Sequence, residues 1–262
     1  MKRGYAGLPL GQIHYVTDGD GECVLLLHQS PLSSNEYQDV IPILAKKYKV
    51  LAMDTPGYGK SDTPPSYWAI EDYAKCVISF LDAMNVSKVN VVGSHTGAAI
   101  GVEVVLLAPG RVNKFIMNGC PDYEPEVRKA RLTDPKYEPM KIEEDGSHLI
   151  GIWQIARNWS PNLSPKSWHR WVVDSLNARG PDAHQALFRY FIDRRLPLIE
   201  RPTLLISGTE DVFYHRIRAS EKLIPRCKIK IIQGGGIVIG YERPKEFAEA
   251  ISEFLGESES QD

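Results

Sequence analysis

The sequence predicts an α/β fold: a mostly parallel sheet with helices on both faces. Three observations predict it. Short apolar runs alternate along the chain with stretches of helical periodicity. The runs are apolar on both faces, as strands in the middle of a covered parallel sheet must be. Residues 89–98, V-N-V-V-G-S-H-T-G-A, read as a buried strand, a sharp glycine turn and the start of a helix. In that turn Gly93 and Gly97 relieve backbone crowding around one raised residue, His95.

The elements follow in order. Residues 13–17 alternate weakly before the turn 18–21 and suit an edge hairpin strand. Residues 23–28 (C-V-L-L-L-H) form a central strand, and 37–47 a helix-like stretch. A second buried strand spans 50–54, and a helix spans 70–84 with Tyr73, Val77, Phe80 and Leu81 on one face. After the glycine turn comes a helix from Ala98, where Ile100, Val104 and Leu107 recur at helical spacing, and then a strand over 114–117. The alternation stops after Asp122. Between about 123 and 196 no strand is evident, and Trp153, Trp159, Trp168 and Trp171 fall there. It resumes with strands at 202–208 and 228–232 and an amphipathic helix at 244–255. The interruption reads as a helical insertion over 123–196 in a body made of 1–122 and 197–262.

Length suits one large domain with an insertion, at 262 residues. The balance of 31 basic to 33 acidic residues, with no long basic run, gives no reason to expect nucleic acid or an anionic membrane as partner. The first residues lack the apolar core of a signal peptide and no apolar run is long enough to span a bilayer, so a cytoplasmic location is expected. Cys23, Cys76, Cys120 and Cys227 are scattered without CxxC spacing and read as reduced core thiols. The histidines His148, His169 and His184 have no metal-ligand spacing. No metal and no organic cofactor is expected. The polar tail 256–262 reads as disordered.

Five pieces in order, L-L-L-H-Q-S-P, M-D-T-P-G-Y-G-K-S-D, V-V-G-S-H-T-G-A, P-T-L-L-I-S-G-T-E-D and G-G-G-I-V-I-G-Y-E-R-P-K-E-F, make the chain resemble an α/β-hydrolase-fold protein along nearly its whole length. The resemblance implies an eight-stranded, mostly parallel sheet with its site at the C-terminal strand ends beneath a helical cap. It also implies a nucleophile on the elbow, an acid and a histidine, in that chain order. Asp211 stands where the acid is expected. The elbow, however, carries His95 where Ser, Cys or Asp is usual, and the position of the family's last histidine holds Ile237.

Three readings stay open. In the first, the His95 ring occupies the space of the absent histidine beside Asp211 and acts as general base or nucleophile in a hydrolase acting on an ester, lactone or related acyl bond. In the second, Ser30 or Ser94 is the nucleophile and His95 its base. In the third, turnover is lost and the chain is a receptor for a small molecule or a partner-binding protein. A lyase or cyclase using His95 as proton shuttle is a further variant of the first. Asp122, after the strand that follows the elbow helix, is an alternative acid, or else a capping residue. The resemblance places the oxyanion site at the loop of His28 and Gln29 and at the N–H of Thr96; the Gln29 amide is a further candidate donor to a bound carbonyl. His28 itself reads as a buried core histidine, His215 as exposed, and Arg194–Arg195 as surface charge more than an anion clamp. The partner expected is a small molecule, with a homodimer an open possibility.

Overall fold

The computed structural model describes residues 1–134, 141–178 and 183–257. Its strands are β1 (Lys2–Leu8), β2 (Gly11–Asp18), β3 (Cys23–Leu27), β4 (Lys49–Met53), β5 (Val89–Ser94), β6 (Val112–Asn118), β7 (Thr203–Gly208) and β8 (Cys227–Ile232). They form one eight-stranded sheet in the order β1-β2-β4-β3-β5-β6-β7-β8. β1 and β2 are an antiparallel hairpin and β2 meets β4 antiparallel; every other pairing is parallel. The helices are α1 (Ile41–Leu44), α2 (Ile70–Ala83), α3 (Thr96–Leu107), α4 (Pro125–Arg131), α5 (Ser147–Trp159), α6 (Pro165–Leu176), α7 (Ala183–Arg189), α8 (Ile217–Leu223), α9 (Ile239–Glu242) and α10 (Pro244–Gly256).

The two-residue period of the strands sorts their side chains into two cores. Leu25 and Leu27 of β3, Val91 of β5, and Phe115 and Met117 of β6 face α2 and α3. Val24, Leu26, Val92 and Ile116 point the other way, onto α1 and α10. The central strands are therefore buried throughout, which is why they read as continuous apolar runs. α4 to α7 all lie between β6 and β7, where no strand was expected. No helix among the described residues is long and apolar enough to cross a membrane.

Three expectations need correction. β2 is not the edge strand; the edge is β1, whose mostly exposed residues carry no apolar alternation to betray it. The helix-like stretch 37–47 is a 3₁₀ turn (Ser34–Tyr37) followed by the single turn of α1. Pro42 has no N–H to donate to residue 38 and its ring would clash there, so one continuous helix cannot form. In the tail, 256–257 are described as the end of α10 and an extended residue, while 258–262 lie outside the described residues.

α3 is buried nearly all round and packs close to the sheet. A Cβ on Gly101 would lie 2.6 Å from Cε2 of Phe115, a ring that is itself fully buried. Gly101→Ala gains about 1 kcal/mol of helix propensity but loses about 1–3 kcal/mol to overpacking. The packing term is the larger, so the variant is expected to unfold at lower denaturant concentration than the parent. An equal or higher midpoint would show that α3 can move off the sheet.

Candidate active site

β5, β6 and β7 are neighbours in the sheet, and the loops at their C-terminal ends carry His95, Asp122 and Asp211 respectively. β5 runs directly into α3 through His95, whose φ of 48° and ψ of −106° are a conformation that few residues other than glycine accept. Gly93 and Gly97 make that turn possible, since a Cβ on either would collide with backbone. The His95 N–H donates to the Asn118 carbonyl on β6 at 2.9 Å and pins the elbow to its neighbour.

The His95 side chain leaves the elbow across β6 and reaches Asp211: Nε2 lies 2.9 Å from Oδ2, with both side chains almost fully buried. It passes over Gly119, where any Cβ would collide with the ring. Asp211 is fixed in turn by the Phe213 N–H, which donates to Oδ1 at 2.7 Å. With a carboxylate accepting at Nε2, the imidazole carries its proton there and leaves its lone pair on Nδ1. Nδ1 has no hydrogen-bond partner among the described residues. Phe213 lies tilted at 5.4 Å from His95 and leads through Tyr123 at 4.8 Å to Phe188 on α7, an aromatic wall beside the buried ring.

The remaining candidates separate. Asp122 is not beside His95: its Oδ2 accepts from Arg216 Nη2 at 2.8 Å. Ser94 is fully buried, and its Oγ accepts from the Tyr37 hydroxyl at 3.0 Å and from Asn118 Nδ2 at 3.2 Å, so it faces packing. Ser30 is buried in the loop after β3 and makes no hydrogen bond to His95. His28 is a core residue: Nδ1–H donates to the Gln29 carbonyl at 2.9 Å, Nε2 accepts from the Thr55 N–H at 2.9 Å, and burial holds its pKa below the usual value. His215 is exposed. All four cysteines are free thiols, and burial pushes those of Cys76 and Cys120 up to about 12, which leaves no reactive thiolate there.

Gln29 does not offer its amide to the site. Nε2 donates to the Ile237 carbonyl at 2.8 Å and to Glu36 Oε1 at 3.3 Å, while the Gln29 backbone N–H donates to Glu36 Oε2 at 2.9 Å. The N–H groups of Thr96, at the start of α3, and of Ser30 make no hydrogen bond among the described residues. Ile237 packs its side chain against Leu32, Trp171, Val238 and Tyr241, so the histidine position has become part of an apolar seam. No group of three or more potential metal-ligating side chains occurs among the described residues.

Glu36 is the residue that sequence reasoning missed. It is fully buried, and burial pushes its carboxyl up to about 7 against the pull of the Gln29 N–H and the nearby His95. A carboxyl whose folded pKa lies above its unfolded value of 4.5 contributes stability that is complete below pH 4.5 and is lost as pH rises to about 7. That difference is worth about 3 kcal/mol. Glu36→Gln keeps an acceptor for Gln29, so between pH 5 and 7.5 its unfolding free energy is expected to lose less with rising pH than that of the parent. Parallel pH profiles from denaturant titrations would refute a buried, neutralised Glu36.

A profile described as alpha/beta hydrolase fold matches residues 22–243. The chain is 32% identical to 2-hydroxy-6-oxo-6-(2'-aminophenyl)hexa-2,4-dienoic acid hydrolase of Metapseudomonas resinovorans, over 93% of this chain and 87% of the relative. It is 30% identical to haloalkane dehalogenase 2 of Mycobacterium tuberculosis over 82% of this chain and 79% of the relative. Among solved structures it is similar to a hydrolase from Pseudomonas aeruginosa (TM-score 0.82, 20% identity, 97% of this chain and 98% of that one). It is likewise similar to the enol-lactonase from Burkholderia xenovorans (TM-score 0.79, 20% identity, 97% and 100%). The chain belongs to the α/β-hydrolase fold family.

Proposed function

We propose that this member of the family is a small-molecule hydrolase in which a His95–Asp211 dyad replaces the nucleophile–acid–histidine triad. The observation that carries the proposal is the 2.9 Å hydrogen bond from His95 Nε2 to Asp211, which leaves Nδ1 with a lone pair at the elbow. The substrate class is an ester, lactone or related acyl compound. The names of two relatives, an oxo-dienoic acid hydrolase and an enol-lactonase, support a small carbonyl compound. Residues 123–196, in this proposal, cap the site.

The chemistry follows from the free lone pair. Nδ1 takes a proton from water as the water oxygen bonds to the substrate carbonyl carbon. The resulting oxyanion is held by the N–H of Thr96 and the N–H of Ser30, which stands in for the occupied N–H of Gln29. Collapse breaks the bond to the leaving group, which takes the proton back from Nδ1. Asp211 keeps the proton on Nε2 and balances the imidazolium while it exists. Ser94 has no part in this, since it is committed to Tyr37 and Asn118.

The test is turnover of a panel of esters and lactones in ¹⁸O-labelled water, with His95→Ala and Asp211→Asn beside the parent. The expected result is one labelled oxygen in the acid product and a loss of about 10²–10⁴-fold in rate for His95→Ala, with circular dichroism unchanged. Full activity in His95→Ala would end the proposal. Unlabelled product would make the enzyme a lyase. Saturable binding without product would favour the receptor reading, which the plugging of the histidine position by Ile237 also fits.

A further inference from the structure

A concavity lies on the flank of the molecule, between the N-terminal turn of α2 and the far side of α7. It has a volume of about 690 Å³, inside the range of small-molecule sites, and neither His95 nor Asp211 lines it. α7 divides the two places. Phe188 points into the aromatic wall that ends on His95, whereas Ala186 and Tyr190 line the flank cleft.

The cleft is built on a buried charge. Glu103, two turns along α3 from His95 and roughly 12 Å down the helix axis, is fully buried. It accepts from Arg195 Nε at 2.7 Å and Nη2 at 2.9 Å and from the Tyr190 hydroxyl at 2.6 Å. That bidentate pair fixes the inner wall and neutralises Arg195. The other two guanidiniums of the lining are not neutralised. Arg194 lies over the Phe191 ring at 4.5 Å, and its side chain has no hydrogen bond or ion pair among the described residues. Among the described residues, the Arg189 side chain reaches only a backbone carbonyl, that of Gln185. Glu71 is the one carboxylate among the described lining residues besides the Glu103 behind them.

A third guanidinium stands behind the wall. Arg128 stacks on Phe191 at 4.2 Å and is buried, with its Nη2 donating to the Tyr123 carbonyl at 3.0 Å and paired with Asp193 at 3.8 Å. Two guanidiniums thus share the Phe191 ring, and of the two only Arg194 lines the cleft, without a carboxylate partner among the described residues. Tyr67 and Trp68 add aromatic surface to the lining. We propose that this cleft is a second binding site, separate from the His95 site, for a small planar aromatic carboxylate. The carboxylate pairs with Arg194 and Arg189, and the ring lies against Trp68.

The probe is 2-naphthoate, titrated into the full chain by calorimetry and by ¹H–¹⁵N NMR. Saturable binding is expected, with movement of the Trp68 indole N–H resonance. Arg194→Gln and Arg189→Gln should each weaken it about tenfold, a loss of about 1.4 kcal/mol. The neutral 2-naphthamide should bind at least about tenfold more weakly, and His95→Ala should bind 2-naphthoate like the parent. Absence of saturation in the millimolar range would overturn the proposal, as would equal binding of the amide. Binding abolished by His95→Ala and kept by Arg194→Gln would place the ligand in the elbow site and overturn it as well. None of these outcomes depends on whether the elbow site turns over.

Discussion

The hydrogen bond between His95 and Asp211 is the constraint around which the site is arranged. Its partners stand on β5 and β7, with β6 between them. Strands in a sheet are about 4.8 Å apart, so the gap between outer neighbours is about 10 Å. A serine hydroxyl on the elbow would fall well short, and an imidazole spans the gap only by lying directly over the middle strand. Gly119 gives it that path, and the Asn118 carbonyl holds the elbow in line with it. The strained backbone at His95 persists because glycines on both sides and a buried helix behind it leave no alternative.

This route exchanges the two ring nitrogens' tasks. The distal nitrogen is tied to the acid and the proximal one is left for chemistry, close to the elbow and to the first N–H groups of α3. In the proposed function the base therefore sits where the family's nucleophile would, which makes a separate hydroxyl and a separate loop histidine redundant. The vacated loop has been absorbed into the structure. Ile237 packs between the body and α6, and its carbonyl accepts from Gln29, which in turn shields Glu36. A Gln29 amide that was a candidate donor to substrate instead braces the loop on which Ser30 stands.

α3 links this chemistry to the flank. Its first turn carries the N–H groups beside the elbow, and its later turns bury Glu103, which fixes Arg195 in the wall of the flank cleft. A helix this enclosed transmits position rather than charge, because its side chains are packed on every face. The arginine pair 194–195 thus divides: one partner is structural and neutralised, the other is exposed over the Phe191 ring with no carboxylate partner among the described residues. Adjacent residues of the same type have opposite roles because consecutive positions leave the backbone in different directions.

Legible in the amino-acid sequence alone are the sheet, the elbow and the place of Asp211. Two-faced apolar runs can only be interior strands, and glycines at 93 and 97 permit only a tight turn with His95 raised on it. Asp211 was legible from its place after the apolar run of β7. Only the tertiary structure decided between Asp211 and Asp122, since both follow strands next to or near the elbow and only the packing of Arg216 assigns one of them elsewhere. It also decided the fate of Gln29, the burial of Glu36 and the path over Gly119. Those depend on contacts between residues far apart in the chain, such as 29 with 237 and 95 with 211, and local periodicity carries no record of such distances.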